Sequence, residues 1–326
     1  MSLKYKVTVI VPIYKVERFI ERCVTSLMKQ TLREVEYLFI DDASPDRSIQ
    51  LLEGVLRQFP NRKDNVRIVH HDCNKGLPAA RNTGLLKSHG QYVFHCDSDD
   101  YVEPNMLEEL YKAAECQNSD IVWCDWYLSY ASAERYMKQP SFDNPMDALK
   151  AMLGGAMKFN VWNKLVRRSL YTENDIVFPA GYGMGEDMTM MMLFVHARKI
   201  TYVPKAYYHY VKTNANAFSQ TYSDKHLNDL RYNVKRISEF MQKQYGDSLM
   251  KELNFLKLEV KFPFLVANNF RRWIEWYPEA NDYILQNMYI PNRSRWIQWL
   301  AAKRQFWIVW LYNQILNRVI YGMIYK

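Results

Sequence analysis

Short β-branched and aromatic runs alternate with helical patterns through the first third of the chain. Val7 to Ile13 precedes a helical pattern over Ile20 to Lys29, Tyr37 to Ile40 one over Ile49 to Phe59, Val66 to Val69 one over Pro78 to Ser88, and Tyr92 to His95 one over Met106 to Ala114. Strand-length apolar runs separated by amphipathic helices predict βαβ units, hence an α/β domain whose mostly parallel sheet is covered by helices. Pro78 and Pro104 suit first-turn helix positions, and Gly90 follows a helix at a C-terminal cap position. Further along, the pattern predicts a helix over Asp147 to Leu153, an apolar run Val161 to Val166, and a glycine-rich loop at 181–185. A helix through Asp187 to Ala197, a strand Ile200 to Val203 and an aromatic loop Tyr207 to Tyr210 follow. Beyond Lys225 the pattern is helical to the end, and Pro291 to Lys326 reads as one helix with Ile297, Leu300, Ile308, Leu311, Ile315 and Val319 on one face.

Composition narrows the picture. The 326 residues suffice for one large domain or two. A hydrophobic share of 48%, with only 11 glycines and 12 prolines, excludes a disordered, collagenous or low-complexity chain. Five irregularly spaced cysteines without a C-x-x-C pair suggest neither a disulfide framework nor a zinc knuckle, so a reducing cytoplasm is expected. The net charge of +8 is local: residues 1–220 carry 27 basic and 26 acidic side chains, whereas 221–326 carry 16 and 9. Six of the nine tryptophans also fall after residue 270. We therefore expect two regions of different character, a first domain over 1–220 and a basic, tryptophan-rich helical region over 221–326. No targeting segment is expected, because Val7 to Tyr14 is too short and charge follows it. The charge-free stretch Gln305 to Asn317 is 13 residues, short of the roughly 20 that span a bilayer. Basic residues with tryptophans over 291–326 suit the anionic inner face of the cytoplasmic membrane; packing on the protein or on a second subunit is the competing reading. No nucleic-acid partner is expected, since the basic residues are mixed with large apolar ones rather than forming a clean stripe.

In such sheets ligands bind beyond the carboxyl ends of the strands, which here carry Tyr14, Asp41, Asp42, His71, Asp72, Asp97 and Asp99. In Asp97-Ser98-Asp99-Asp100, carboxylates two residues apart can turn toward one ligand, and their hard oxygens suit Mg²⁺ or Mn²⁺ held together with substrate phosphates. The same residues also form solvated turns and helix caps. Two acidic pairs on adjacent strand ends, close to Tyr14, favour a nucleotide site. Gly181-x-Gly-x-Gly185 has the wrong spacing for a dinucleotide fingerprint, and no phosphate-binding G-x-x-x-x-G-K-[ST] exists.

Six motifs then occur in a telling order: Val11-Pro-Ile-Tyr14, Ser26-Leu-Met-Lys-Gln-Thr31, Ile40-Asp-Asp-Ala-Ser-Pro-Asp46, Asn74-Lys-Gly76 with Ala80-Arg-Asn-Thr-Gly84, Asp97-Ser-Asp-Asp100 and Gly185-Glu-Asp187. Together they resemble the family 2 glycosyltransferases of GT-A fold, whose sheet is mixed, mostly parallel and flanked by helices. The resemblance implies that Asp42 hydrogen-bonds a nucleotide base, with Pro12 and Tyr14 lining its pocket. Asp97 would meet the ribose or nucleotide, Asp99 the Mn²⁺ or Mg²⁺ that bridges the diphosphate, and Arg81 would lie near that diphosphate. Asp187 would be the catalytic base. Trp162, Lys164, Glu186 and His209 would lie toward the donor sugar or acceptor. From the residues alone, Arg81 also reads as a surface ion pair, Asp187 as a helix cap, Trp162 as a core aromatic and His209 as a hydrogen-bonded, half-buried histidine.

The expected activity is metal-dependent, inverting transfer of a hexosyl or N-acetylhexosaminyl group from a UDP-linked donor. The acceptor would be a hydroxyl of a saccharide or lipid-linked precursor in bacterial surface-polysaccharide assembly. A leaving diphosphate needs its charge neutralised and the attacking hydroxyl needs a base; one base opposite the leaving group implies inversion. A hydrolase would instead need an acid on the leaving oxygen. A sugar nucleotidyltransferase would need a glycine-rich, arginine-containing loop after the first strand, which Pro12-Ile-Tyr-Lys15 is not. A catalytically silent sugar-binding scaffold would not need Asp42, Asp97, Asp99 and Asp187 intact. An oligomer is compatible with all of these.

Overall fold

The structure, a computed structural model, describes residues 4–214 and 223–316. Arg318, Val319 and Lys326, part of the expected C-terminal helix, lie outside the described residues. The chain divides into two compact units, Met1–Ala148 with Phe159–Asn233 and Leu149–Lys158 with Val234–Lys326.

The first unit is built on a nine-stranded sheet. Its strands are β1 (Val7–Ile13), β2 (Val35–Asp41), β3 (Val66–His70), β4 (Tyr92–His95), β5 (Tyr101–Val102), β6 (Ile121–Ser129), β7 (Glu134–Met137), β8 (Lys164–Arg167) and β9 (Ile200–Val211). The sheet order is β3-β2-β1-β4-β8-β6-β9-β5, with β7 paired to β6. Every residue of β1 and β2 is buried, as expected of parallel strands covered on both faces. The expected βα alternation is present, with α1 (Ile20–Met28), α2 (Ser48–Leu56), α3 (Leu77–Lys87) and α4 (Met106–Gln117) following the first strands. The sheet is parallel from β3 to β4; β8 then runs antiparallel to both neighbours, and β6 and β9 are parallel to each other. Helices α5 (Pro145–Gly154), α6 (Arg168–Thr172) and α7 (Thr189–His196) complete the order as far as β9.

The packing of α3 on β1 depends on one residue. A Cβ added to Gly84 would lie 2.3 Å from Ile10 Cγ2, so only glycine lets the helix approach this closely. Arg81, one turn earlier, is thereby sunk beneath the strand ends.

Tyr207 to Tyr210 form a strand, not a loop. Pro204, Lys205 and Tyr207 are extra residues, since the register with β6 steps from Cys124↔Val203 to Asp125↔Ala206 and then to Trp126↔Tyr208. Proline cannot donate to the ladder, so the strand skips it and continues. That continuation places Tyr208 behind the acidic turn after β4, where its hydroxyl donates to Asp100 Oδ2 at 2.7 Å and accepts from Asp97 N at 3.1 Å. Val211 N donates to Asp100 Oδ1 at 2.7 Å, so both oxygens of Asp100 are committed to β9.

Helix α8 (Asp224–Tyr245) begins in the first unit and ends in the second, so the division falls beyond residue 220. The second unit also contains α9 (Met250–Val266), α10 (Phe270–Glu275), α11 (Asn292–Ala302) and α12 (Phe306–Ile315), together with residues 149–158. Its tryptophans differ in burial, and Trp299 is half-buried. Trp273 and Trp276 are core, with Trp273 under the buried Lys261 ammonium at 4.2 Å; Lys261 Nζ donates to Trp276 O at 3.0 Å and Asn281 Oδ1 at 2.7 Å. Trp296, Trp307 and Trp310 are exposed. The single helix expected from Pro291 onward is in fact two, broken at Lys303 to Gln305, where Arg304 takes φ +60°. On α12 Val309 and Asn313 are buried, whereas Leu311 and Ile315, expected on one face of the helix, join Trp307 and Trp310 in an exposed stripe. Among the described residues no helix is long and apolar enough to cross a membrane.

Candidate active site

The carboxyl ends of β1, β2 and β4 and the loop before α7 converge in the first unit. Pro12 is buried opposite Ile40 of β2, and Tyr14, just past β1, is exposed at the rim. Asp42 shapes its own surroundings: its Oδ1 accepts from Lys75 N and its Oδ2 from Gly76 N, both at 2.8 Å, and Oδ1 lies 2.7 Å from His71 Nδ1. His71 Nε2 in turn meets Thr83 Oγ1 at 2.8 Å. The Asn74-Lys-Gly motif is thus the partner of Asp42, and Gly76, at φ +85°, supplies the turn that brings its N–H to the carboxylate.

Arg81 is the hub. Its side chain is 1% exposed, and Nη2 donates to Asp97 Oδ1 at 2.9 Å while lying 3.7 Å from Glu186 Oε1 and 3.9 Å from Asp187 Oδ1. A surface ion pair is excluded by that burial. Its guanidinium also lies over the Phe178 ring, and Asn82, next in sequence, clamps Phe178 by accepting from its N and donating to its O, each at 2.8 Å. Helix α3 therefore grips both the acidic strand end and the chain leading into the glycine-rich loop.

Asp187 is not a helix cap. It sits in a short 3-10 turn, Glu186–Met188, ahead of α7; among the described residues the α7 N-terminus has no side-chain cap bond and Asp187 Oδ1 is buried without a hydrogen-bond partner. Burial raises the Asp187 pKa; Arg81 works against this and the Asp97 charge adds to it. Burial and the Asp187 charge push Glu186 well above the usual carboxylate range. Burial thus holds both carboxyls of the pair above their ordinary range, and Arg81 opposes the shift in each.

Asp99 is half-buried and accepts from Asn214 Nδ2 at 2.8 Å; its pKa is raised by burial and by the Asp97 charge. Among the described residues no three His, Cys, Asp or Glu side chains gather as a ready-made metal cage. Hard carboxylate oxygens without a full cage suit a divalent cation whose remaining positions go to phosphate and water.

Lys164 is buried and donates from Nζ to Asn160 O at 2.7 Å and Asn163 Oδ1 at 2.9 Å. Burial lowers its pKa to about 7, although the Asp187 charge raises it in part. Trp162 stacks between Tyr208 and Tyr210 at 4.6 and 5.2 Å, with Trp126 edge-on, and is thus a core aromatic. His209 stacks between Tyr101 and Tyr127 and bridges Glu134, 2.7 Å from Nδ1, and Glu103, 2.9 Å from Nε2. The structure thus gathers Arg81, Asp97, Glu186 and Asp187, and gives Trp162 and His209 other neighbours.

Several contributors escaped the sequence reading. Asn82 lies inside a quoted motif but gives no sign of its distant partner. Asn214, Asp229 and Asn233 carry no local signal. Asp229 Oδ2 accepts from Gly183 N at 3.1 Å, and Asn233 Nδ2 donates to Tyr182 O and Met184 O at 3.2 and 3.0 Å, so α8 holds the loop that delivers Glu186 and Asp187.

The model of the family described as Glycosyl transferase family 2 matches residues 8–184, more than half of the chain. The uncharacterized glycosyltransferase EpsJ of Bacillus subtilis is 30% identical over 275 residues, covering 80% of this chain and 77% of that one. The poly(ribitol-phosphate) beta-N-acetylglucosaminyltransferase TarS of Staphylococcus aureus is 28% identical over 223 residues, 67% of this chain and 37% of that longer protein. Its fragment 1–349 in complex with UDP-GlcNAc superposes with a TM-score of 0.65 at 21% identity, over 98% of this chain and 93% of that one. The mannosyltransferase PcManGT of Pyrobaculum calidifontis, in complex with GDP-Man and Mn²⁺, gives 0.55 at 15% identity over 96% and 88%. At these identities the two solved structures speak for the GT-A fold alone. With the family model and EpsJ added, the conclusion is direct: the chain is a glycosyltransferase and belongs to glycosyl transferase family 2.

Proposed function

We propose that the enzyme transfers a sugar, with inversion, from a UDP-linked donor to a hydroxyl of a saccharide or lipid-linked acceptor in polysaccharide biosynthesis. The observation that carries this reading is the cluster on Arg81, in which one buried guanidinium holds Asp97 of the nucleotide side and faces Asp187 of the acceptor side. Pro12, Tyr14 and the loop shaped by Asp42 receive the nucleotide. Asp99, with Asp97 beside it, would hold Mn²⁺ or Mg²⁺, which when bound supplies Lewis-acid neutralisation of the leaving diphosphate. Asp187 takes the proton of the attacking hydroxyl on the opposite face, and Glu186 and Lys164 set the charge around it.

Calorimetry of UDP binding with and without Mn²⁺ tests the donor half. In the wild-type enzyme Mn²⁺ is expected to strengthen UDP binding, and in Asp99→Ala that dependence is expected to disappear. Metal-independent UDP affinity, unchanged in the variant, sinks the assignment of Asp99.

For the helical region, 221–326, we propose peripheral docking on anionic membrane. Trp307 is 66% exposed and is joined on α12 by Trp310, Leu311 and Ile315, while Arg293, Lys303 and Arg304 are exposed nearby in sequence and no acidic residue follows Asp282. Each basic residue near an anionic surface contributes about 1 kcal/mol, screened by salt. Cosedimentation with phosphatidylglycerol vesicles should therefore decline as salt rises and drop in Trp307→Ala/Trp310→Ala, a substitution on exposed positions. Indifference to vesicles at low salt would assign the stripe to another partner.

A further inference from the structure

Tyr182 and Tyr232 stack face to face, ring centroids 3.5 Å apart and planes within 5°, yet they remain 38% and 40% exposed. Tyr182 lies in the glycine-rich loop five residues ahead of Asp187, between Gly181 and Gly183. Tyr232 lies on α8. The pair is mounted rigidly. Asp229 Oδ2 takes the Gly183 N–H, Asn233 takes the Tyr182 and Met184 carbonyls, and Lys225 Nζ bridges Asp229 at 3.2 Å and Gly181 O at 3.4 Å. Asp229 and Asn233 are themselves buried, and Lys225, Asp229, Tyr232 and Asn233 share one face of the helix. The main chain of this loop is held by polar side chains, so the tyrosine rings are not needed to fix it.

Each ring covers one face of the other, and a stacked aromatic pair that stays more than a third exposed, with Tyr182 on the loop leading to Asp187, has the chemistry of a sugar platform. The negative π-face attracts the polarised C–H face of a pyranose, and fixed aromatics bind at small entropic cost. We propose that Tyr182 and Tyr232 form an acceptor subsite that stacks a saccharide ring and so brings its hydroxyl toward Asp187. The assignment rests on the glycosyltransferase reading above, and it narrows the acceptor to one presenting a sugar ring.

Saturation-transfer NMR with methyl β-D-glucopyranoside and methyl N-acetyl-β-D-glucosaminide, in the presence of UDP and Mn²⁺, tests it, with UDP affinity measured in parallel. In the wild-type protein the ring C–H protons of at least one glycoside should receive saturation. Tyr182→Ala and Tyr232→Ala should weaken that binding by about tenfold, the scale of one lost aromatic contact, while Tyr182→Phe keeps it and UDP affinity stays constant throughout. No sugar signal in the wild type, or a signal unchanged in both alanine variants while UDP still binds, overturns the subsite alone. Loss of UDP affinity together with the sugar signal in the alanine variants makes the pair a packing element and overturns it too. A wild-type protein that does not bind UDP removes the donor reading along with it.

Discussion

In Asp187→Asn, transfer is expected to fall by about 10²-fold or more, the usual scale of general-base catalysis, while UDP affinity stays that of the wild type. Asparagine keeps the shape of the side chain and loses only the proton acceptor. Stability provides an internal control. Burial raises the Asp187 pKa, so its ionised form is held at a cost in the folded state, and a neutral amide removes that cost. Arg81 keeps Asp97 at 2.9 Å and Glu186 at 3.7 Å. The melting temperature at neutral pH should therefore not drop, which separates lost chemistry from lost folding. The raised pKa also fixes the sign of the pH profile: wild-type turnover should decline on acidification through a value above that of an ordinary aspartate, about 3.9, because the protonated carboxyl cannot act as base. Near-normal turnover in the asparagine variant would leave Asp187 as a residue of the 3-10 turn only.

The β1, β2 and β4 strand ends were legible in the sequence because their information is local. β1 and β2 are uninterrupted apolar runs, and Asp42, Asp97 and Asp99 stand where those runs and that of β4 end. What was hidden depends on contacts distant in sequence. The run Ile121 to Ser129 forms β6, but its nine residues are bounded by no recognisable helix pattern on one side and include a buried Asp125, which breaks the apolar reading. Pro204 ended the expected strand at Val203, since proline normally terminates pairing; the bulge opposite Cys124 and Asp125 lets β9 continue and turns an apparent aromatic loop into the scaffold of the acidic turn. Asp229 has no local signature at all, because its meaning comes from Gly183, 46 residues earlier. The spacing of tryptophans and arginines after residue 290 was visible, yet the helix break between α11 and α12, where Arg304 takes φ +60°, was not.

The largest effect on stability is expected at Arg81. Its guanidinium is fully buried, with Nε and Nη1 lacking hydrogen-bond partners among the described residues, so Nη2 carries the interaction with three carboxylates. Burial opposes its charge, and Asp97, Asp187 and Glu186 more than offset that opposition. In Arg81→Met, a change of similar volume, the hub charge is gone while all three acids stay. Removing one partner of a buried ion pair costs about 3–5 kcal/mol, most of it from the charge left behind. The sign of the pH dependence separates this from a packing defect. Without Arg81 the pKa values of Glu186 and Asp187, already raised, rise further, and an acid with a higher pKa in the folded than in the unfolded state stabilises the fold when protonated. That contribution is present at low pH and is lost as pH rises through the folded-state value. The deficit of Arg81→Met should therefore be greatest at neutral pH and shrink toward the ordinary carboxylate range, about pH 4. Thermal midpoints of both proteins across that range check it. A deficit that stays constant with pH would make Arg81 a space-filling residue, and the four-residue cluster would lose its electrostatic centre.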